Sequence, residues 1–492
     1  MNILSLNTKF FYMSVVIRWL LVIIICGGLF SCKKDKIITD GSAKLTFSVD
    51  TLTFDTVFVR LGSTTKLFTI RNEHKQPIII SNIRLESGET SNFRMNVDGE
   101  PVIATSNIEI PAKDSIYVFV EVTIDPSDNN LPFVIEDKVK FETNGNDQEV
   151  VLRAWGQNAH FYDGVEIETE VWNDGLPYVI LNSMVVKEGH TLQINPGVTV
   201  YMGPNSGIFV NGNIEITGGI DSADRVVFRG LRLDKDLDGT PYDEIPGQWL
   251  GIFLLRGSVG NKIENAEFRN GSYGLSLGSA SIEDLPGISL ANAPELELKN
   301  TKIYNMAYFG IYAFLSKLEA ENVLIHSIGL NALAFQVGGS YSFKHCTFYN
   351  RGNAYLDHKD PICYLSNFFE DEGNNLFLVA DLEKADFINC IVEGSLDEEL
   401  IFDPVKPELA TAQFNFNFDH TLLKTKKDIN TSGFNTIKKN EDPLFVDRNK
   451  FDFHLKVESP CRDFGTNLSI FADLEGNSRD AFPDLGALEY IP

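Results

Sequence analysis

Between residues 263 and 425 an eight-residue pattern recurs six times: apolar, polar, Asn or His, small, polar, large apolar, polar, then small or Asn. The copies begin at Ile263, Leu298, Ala320, Phe343, Phe387 and Phe418, and the two tightest spacings, 22 and 23 residues, match one turn of a parallel β-helix. Side chains alternate along a strand, so aligning the copies sorts them into columns. One inward column is Ala266, Thr301, Val323, Cys346, Cys390 and Thr421, all small. Two residues on, Phe268, Ile303, Ile325, Phe348, Val392 and Leu423 are all large and apolar. Another two on, Asn270, Asn305, Ser327, Asn350, Gly394 and Thr425 mark a turn where side-chain amides can satisfy backbone groups. Stacked rungs about 4.8 Å apart demand such columns of like residues, which makes the pattern a packing device first. Cys346 and Cys390 share a column and read as buried thiols acting as small apolar residues, with a disulfide as the alternative.

The alternation also defines an outward column: Arg269, Tyr304, His326, Tyr349, Glu393 and Lys424. Arg269, Tyr304, His326 and Tyr349 form a candidate ligand stripe, suited to stacking on sugar rings. The competing reading is that outward aromatics simply suit a sheet or cover loops. Two insertions break the period, residues 229–249 and 351–381, and loops on solenoids often carry their binding function. The first contains Asp234-Lys235-Asp236-Leu237-Asp238-Gly239, the opening of a calcium loop in which alternate carboxylates surround the cation. Its twelfth position is Ile245 rather than the bidentate Glu, so an acidic exposed turn competes with a calcium site formed by Asp234, Asp236 and Asp238.

Upstream, residues 43–158 alternate apolar and polar in short runs around 45–49, 66–70, 78–80, 116–123 and 149–154, separated by turn residues, as in a β-sandwich. The phrases "LFTIRNEHKQPIIISNI" and "IEIPAKDSIYVFVEVTIDPS" resemble immunoglobulin-like modules of cilia-associated and bacterial surface proteins. From about Trp172 the texture changes, and the stretch 176–218 resembles the opening rungs of bacterial right-handed β-helices. The predicted class is therefore all-β: an immunoglobulin-like β-sandwich (43–158), a right-handed parallel β-helix (159–441) and a C-terminal capping segment (442–492) that shields the last rung.

At the N-terminus, residues 19–30 form an apolar run too short to span a bilayer comfortably, and its end continues into Leu29-Phe30-Ser31-Cys32. This resembles the bacterial lipobox, which implies a signal peptide over 1–31, a lipidated Cys32 and a polar tether over 32–42. Several acyl chains, each buried methylene contributing roughly 0.8 kcal/mol, suffice for stable anchoring. The whole resembles Bacteroidetes-type lipoproteins carrying a right-handed β-helix. That resemblance implies an outer-membrane protein, periplasmic or surface-exposed, whose membrane contact is its lipid anchor. A net charge of −26 disfavours nucleic acid as a partner. No phosphate-cradling Gly loop, zinc-type cluster or Gly-x-Ser-x-Gly elbow appears. The expectation is a non-catalytic envelope protein presenting its β-helix to a polysaccharide or protein. A polysaccharide lyase or glycoside hydrolase working in a groove is the alternative, and a purely structural envelope component the third.

Overall fold

The computed structural model describes residues 36–125, 133–235, 239–278 and 290–492. Cys32, Asp236 and Asp238 lie outside them. The chain divides into two compact units, one holding the residues up to Asp125 with Val134–Gly156, the other Gln157–Pro492 with the short stretch ending at Phe133. No helix among the described residues is long and apolar enough to cross a membrane.

The first unit contains two five-stranded sheets whose strand pairs, where their register is defined, run antiparallel. Strand Ser115–Val122 displays the alternation that made it legible, with Ile116, Val118, Val120 and Val122 buried while Tyr117 and Phe119 face out. The sheets meet through rings. Phe54 and Phe141 of one sheet approach Phe93 and Phe68 of the other, at 5.8 and 6.2 Å between centroids. These contacts make the unit a β-sandwich.

The second unit is a parallel β-helix built on a sheet of 24 strands. The six copies of the pattern occupy successive rungs, since Ile263 pairs with Leu298, Leu298 with Ala320, Ala320 with Phe343, Phe343 with Phe387 and Phe387 with Phe418. The column extends beyond them, back through Ile216 and Ile194 to Trp172 and forward to Phe434. The large apolar column pairs in unbroken register from Phe268 to Leu423, and every member is fully buried. Phe343, Phe387 and Phe418 stack at 4.9 and 4.5 Å. Cys346 and Cys390 are buried free thiols.

The third position of the pattern has its own reason. Asn265, Asn300, Asn322, His345, Asn389 and His420 all have φ between 44 and 57°, so each turns a corner in the left-handed region. Asn and His enter that region more readily than most side-chain-bearing residues. The backbone ladder continues around this corner, with the N–H of Asn300 donating to Glu321 O and that of Asn322 to Lys344 O.

The insertion expected over 351–381 is two separate excursions. Cys363–Ser366 returns to the solenoid as a regular rung strand between them, and the second excursion carries the hairpin Phe368–Asp371 with Leu376–Val379. The segment expected to shield the last rung packs along the flank. It runs back along the outside of the solenoid, packing Phe445, Phe453, Leu455, Leu474 and Leu485 on Leu324, Tyr349, Ile391 and Leu422. It also bonds the corner: Asn389 Nδ2 donates to Thr466 O (2.7 Å), Asn322 Nδ2 to Ala472 O (2.9 Å) and Arg225 Nη2 to Leu474 O (2.7 Å).

Candidate functional site

The outward column forms in the expected register: Arg269 pairs with Tyr304, Tyr304 with His326, His326 with Tyr349 and Tyr349 with Glu393. Its exposure differs from the expectation. The rings of Tyr304 and His326 lie face to face at 4.9 Å with 5° between planes, and Phe451 covers the imidazole at 4.9 Å. Tyr349 is buried under Phe445 and Phe453. Rungs under 5 Å apart force neighbouring outward rings onto one another, so these faces are occupied internally rather than presented to a sugar. Burial, reinforced by Lys302, pushes the His326 imidazole down to about 3, which leaves it neutral at physiological pH.

Over this column the two insertions converge. A hollow of about 320 Å³ is lined by Asp243 and Glu244 of the first, by Asn353, Ala354 and Tyr355 of the second, and by Tyr304, Asn305, His326, Ser327 and Phe451. The turn column holds the first insertion in place: Asn270 Nδ2 donates to Asp243 O (2.7 Å) and Asn305 Nδ2 to Glu244 O (3.0 Å). The second is shaped by Asn353, whose Oδ1 accepts from the N–H groups of Tyr355 and Leu356, both at 2.8 Å. Tyr355 and Phe451 are 42% and 50% exposed, which makes them the apolar surfaces a ligand meets first.

Beneath the first insertion sits a charged cluster. Asp243 lies 2.9 Å from Arg229 and 3.4 Å from Arg269. Arg269 Nη1 donates to Tyr304 Oη (3.3 Å), and Tyr304 Oη donates to Glu267 Oε1 at 2.6 Å. Burial, then the Glu267 charge, drives the Tyr304 hydroxyl far up, so it stays a donor locked on Glu267. Burial and the adjacent Arg269 lower Arg229. In Arg269 burial pulls down but Tyr304, Glu267 and Asp243 outweigh it. Of the four stripe residues, Tyr304 and His326 therefore line the hollow, Arg269 lies under its Asp243 wall, and Tyr349 is part of a covered face.

Asp234 is paired with a guanidinium. Arg232 Nε and Nη2 donate to its two oxygens at 3.0 and 2.6 Å, and Arg232 itself lies 3.5 Å from the Tyr242 ring centroid. A cation bound at Asp234 would have to share its oxygens with that guanidinium. No group of three metal-ligating side chains occurs among the described residues. Another hollow, of about 390 Å³ and lined by Leu290, Leu315 and Val379 to Asp381 among others, offers no aromatic surface.

Sequence reasoning named Tyr304 and His326 and both insertions, read Asn305 only as a turn residue, and did not single out Asn353, Tyr355 or Phe451. A usable signal for the covered face was present. The outward column two residues earlier changes from charged (Glu267, Lys302) to mainly apolar (Leu324, Thr347, Ile391, Leu422) where the closing segment lies.

No protein-family model matches the chain, and no curated protein matches it. Among solved structures, it is similar to a family 123 glycoside hydrolase from Clostridium perfringens over 25% of this chain and 26% of that one (9% identity, TM-score 0.17). The chain thus spans about a quarter of that enzyme. A PapD-like domain of human CEP192 matches 24% of this chain and 85% of its own (11% identity, TM-score 0.16). The catalytic domain of a GH87 α-1,3-glucanase matches 76% of this chain and 87% of its own (9% identity, TM-score 0.24).

Proposed function

We propose that this chain is a cell-envelope protein, anchored through lipid on Cys32, whose β-helix binds glycan in the hollow over Tyr304 and His326. The observation that carries the reading is the convergence of two insertions, from different rungs, on one patch of the outward column. Exposed rings of Tyr355 and Phe451 beside the side-chain amides of Asn305 and Asn353 supply the apolar surface and oriented hydrogen bonds that small-ligand sites combine. The net charge of −26, with Asp243 and Glu244 on the wall, disfavours polyanionic chains and favours a neutral glycan. Glycoside cleavage requires two carboxylates flanking the scissile bond. Here the two wall carboxylates are consecutive residues on one lip, and Asp243 is engaged by two arginines. The hollow is therefore read as a binding site rather than a cleaving one.

The test is a glycan array with the full chain in detergent, paired with mass analysis of incubated oligosaccharides. Binding to neutral glycans that falls at least tenfold in Tyr355→Ala, with no shortened product, is the expected result. Shortened or unsaturated products would sink the binding-only reading, and binding unaffected by Tyr355→Ala would move the site elsewhere.

A further inference from the structure

Apart from the hollow, at the rung of Ile391–Gly394, three side chains converge that the glycan reading does not use. Ser395 is exposed, and its N–H is pinned to Asn350 O at 3.2 Å. Its Oγ lies 2.8 Å from His358 Nδ1. The imidazole is 1% exposed, and its buried Nε2, which makes no hydrogen bond in the resting arrangement, stands 3.3 Å from Oε2 of Glu399, whose side chain is fully buried. Two backbone donors fix that carboxylate: the N–H of Ile362 to Oε2 (3.1 Å) and of Leu396 to Oε1 (2.9 Å).

The scaffold makes room for this arrangement. Gly394 is the glycine of a turn column otherwise filled by Asn270, Asn305, Ser327, Asn350 and Thr425. A Cβ there would fall 2.1 Å from Glu399 Oε1, so the column loses its side chain at the rung where the carboxylate enters. Burying a carboxylate and an imidazole costs several kcal/mol unless they are paired and hydrogen-bonded. The neighbouring rung satisfies the same turn with a neutral amide: Asn350 bonds both the N–H and the O of Ile328. A turn alone does not call for Glu399 and His358. An exposed hydroxyl against a buried imidazole, backed by a fixed carboxylate, is the arrangement that activates a serine nucleophile.

We propose that Ser395, His358 and Glu399 are the nucleophile, the base and the orienting acid of an ester-hydrolysing site. As Ser395 Oγ bonds to the carbonyl carbon of a carboxylic ester, His358 Nδ1 takes its proton, and the Glu399 charge stabilises the imidazolium. The tetrahedral adduct collapses by breaking the bond to the alcohol oxygen, and the alcohol leaves with the proton from His358. Water then attacks the acyl-serine, returns a proton through His358, and releases the carboxylic acid and free Ser395. The hydroxyl lies at the surface, which suits an acyl group projecting from a larger molecule. His358 belongs to the excursion that also supplies Asn353 and Tyr355 to the hollow, and if the glycan reading holds, an O-acylated sugar is the matching substrate class.

The experiment uses the full chain with p-nitrophenyl acetate and a fluorophosphonate probe, neither of which depends on glycan binding. The expected results are a phosphonylated Ser395 peptide and acetate hydrolysis that falls by roughly 10²–10⁴-fold in Ser395→Ala and His358→Gln. Ser469→Ala, at another exposed serine, should retain the wild-type rate. Ser395→Cys, which keeps the side-chain shape, should lose fluorophosphonate labelling and gain iodoacetamide labelling at residue 395, so the proposal survives if the alanine variant misfolds. Absence of an adduct at Ser395, or wild-type hydrolysis in folded Ser395→Ala, overturns it. A lowered melting temperature in His358→Gln without any adduct would mark the trio as a loop tie and overturn it equally.

Discussion

Arg479→Met probes how firmly the closing segment is fastened. Arg479 Nη1 lies 2.8 Å from Glu489 Oε2, and their side chains are 1% and 7% exposed. Its Nη2 also donates to Asn322 Oδ1 on the solenoid corner and to Gly486 O, both at 3.0 Å. Methionine retains much of the bulk but leaves Glu489 buried without its cation and two acceptors without a donor. Removing one partner of a buried ion pair costs about 3–5 kcal/mol, against total domain stabilities of about 5–15 kcal/mol. Urea unfolding read by tryptophan fluorescence measures the loss, and hydrogen exchange at Asn300, Asn322 and His345 locates it on the corner. The pH dependence follows from Glu489, whose carboxyl burial and Asp484 hold above the usual range. A group with a raised folded pKa favours folding below its unfolded value and loses that contribution as pH rises. Without Arg479 its folded value climbs further, so the penalty should shrink on acidification, and Arg479→Met with Glu489→Leu should recover part of the stability. A loss below about 1 kcal/mol, the size expected of an exposed pair, and independent of pH would refute this account.

Phe387→Ala removes a fully buried ring stacked between Phe343 and Phe418 and should cost about 3–5 kcal/mol, measurable by the same denaturation. Burial, with Asp442 adding to it against Arg448, raises Glu393 to about 7. Since its unfolded value is near 4.5, stability should decline as pH rises from about 4.5 to about 7, and Glu393→Gln should flatten that slope in a melting-temperature series. Calcium should leave the melting temperature unchanged, because Arg232 engages both oxygens of Asp234. A calcium-dependent rise that vanishes in Asp234→Asn would restore that loop as a metal site.

The solenoid was legible because its determinants are local. Period-2 alternation sorts residues into columns without knowledge of their partners, and the register of Phe268 through Leu423 follows from aligning the repeated pattern. The Asn or His of each corner stood out as a pattern, yet its cause, a left-handed φ, belongs to the folded backbone. Exposure was the part not legible. His326 and Tyr349 are covered by Phe451 and Phe453, residues roughly a hundred positions downstream whose return along the flank no local pattern announces. Ser395, His358 and Glu399 escaped for a related reason: they carry no motif and become a group only when an excursion folds back across the rung.

A plain solenoid can unravel from either end, because each repeat touches only its neighbours. The closing segment changes that topology. Arg225 meets Leu474 across 249 residues of sequence, and Lys302, Asn322, Thr347 and Asn389 are tied to the same segment. The closing segment thus fastens rungs that stand far before it in sequence, and contacts of such high sequence separation are slow to form. Removal of the closing segment would uncover Leu324, Ile391 and Leu422 on several rungs at once, and unzipping from the N-terminal side cannot proceed past Arg225 without also breaking its bond to Leu474.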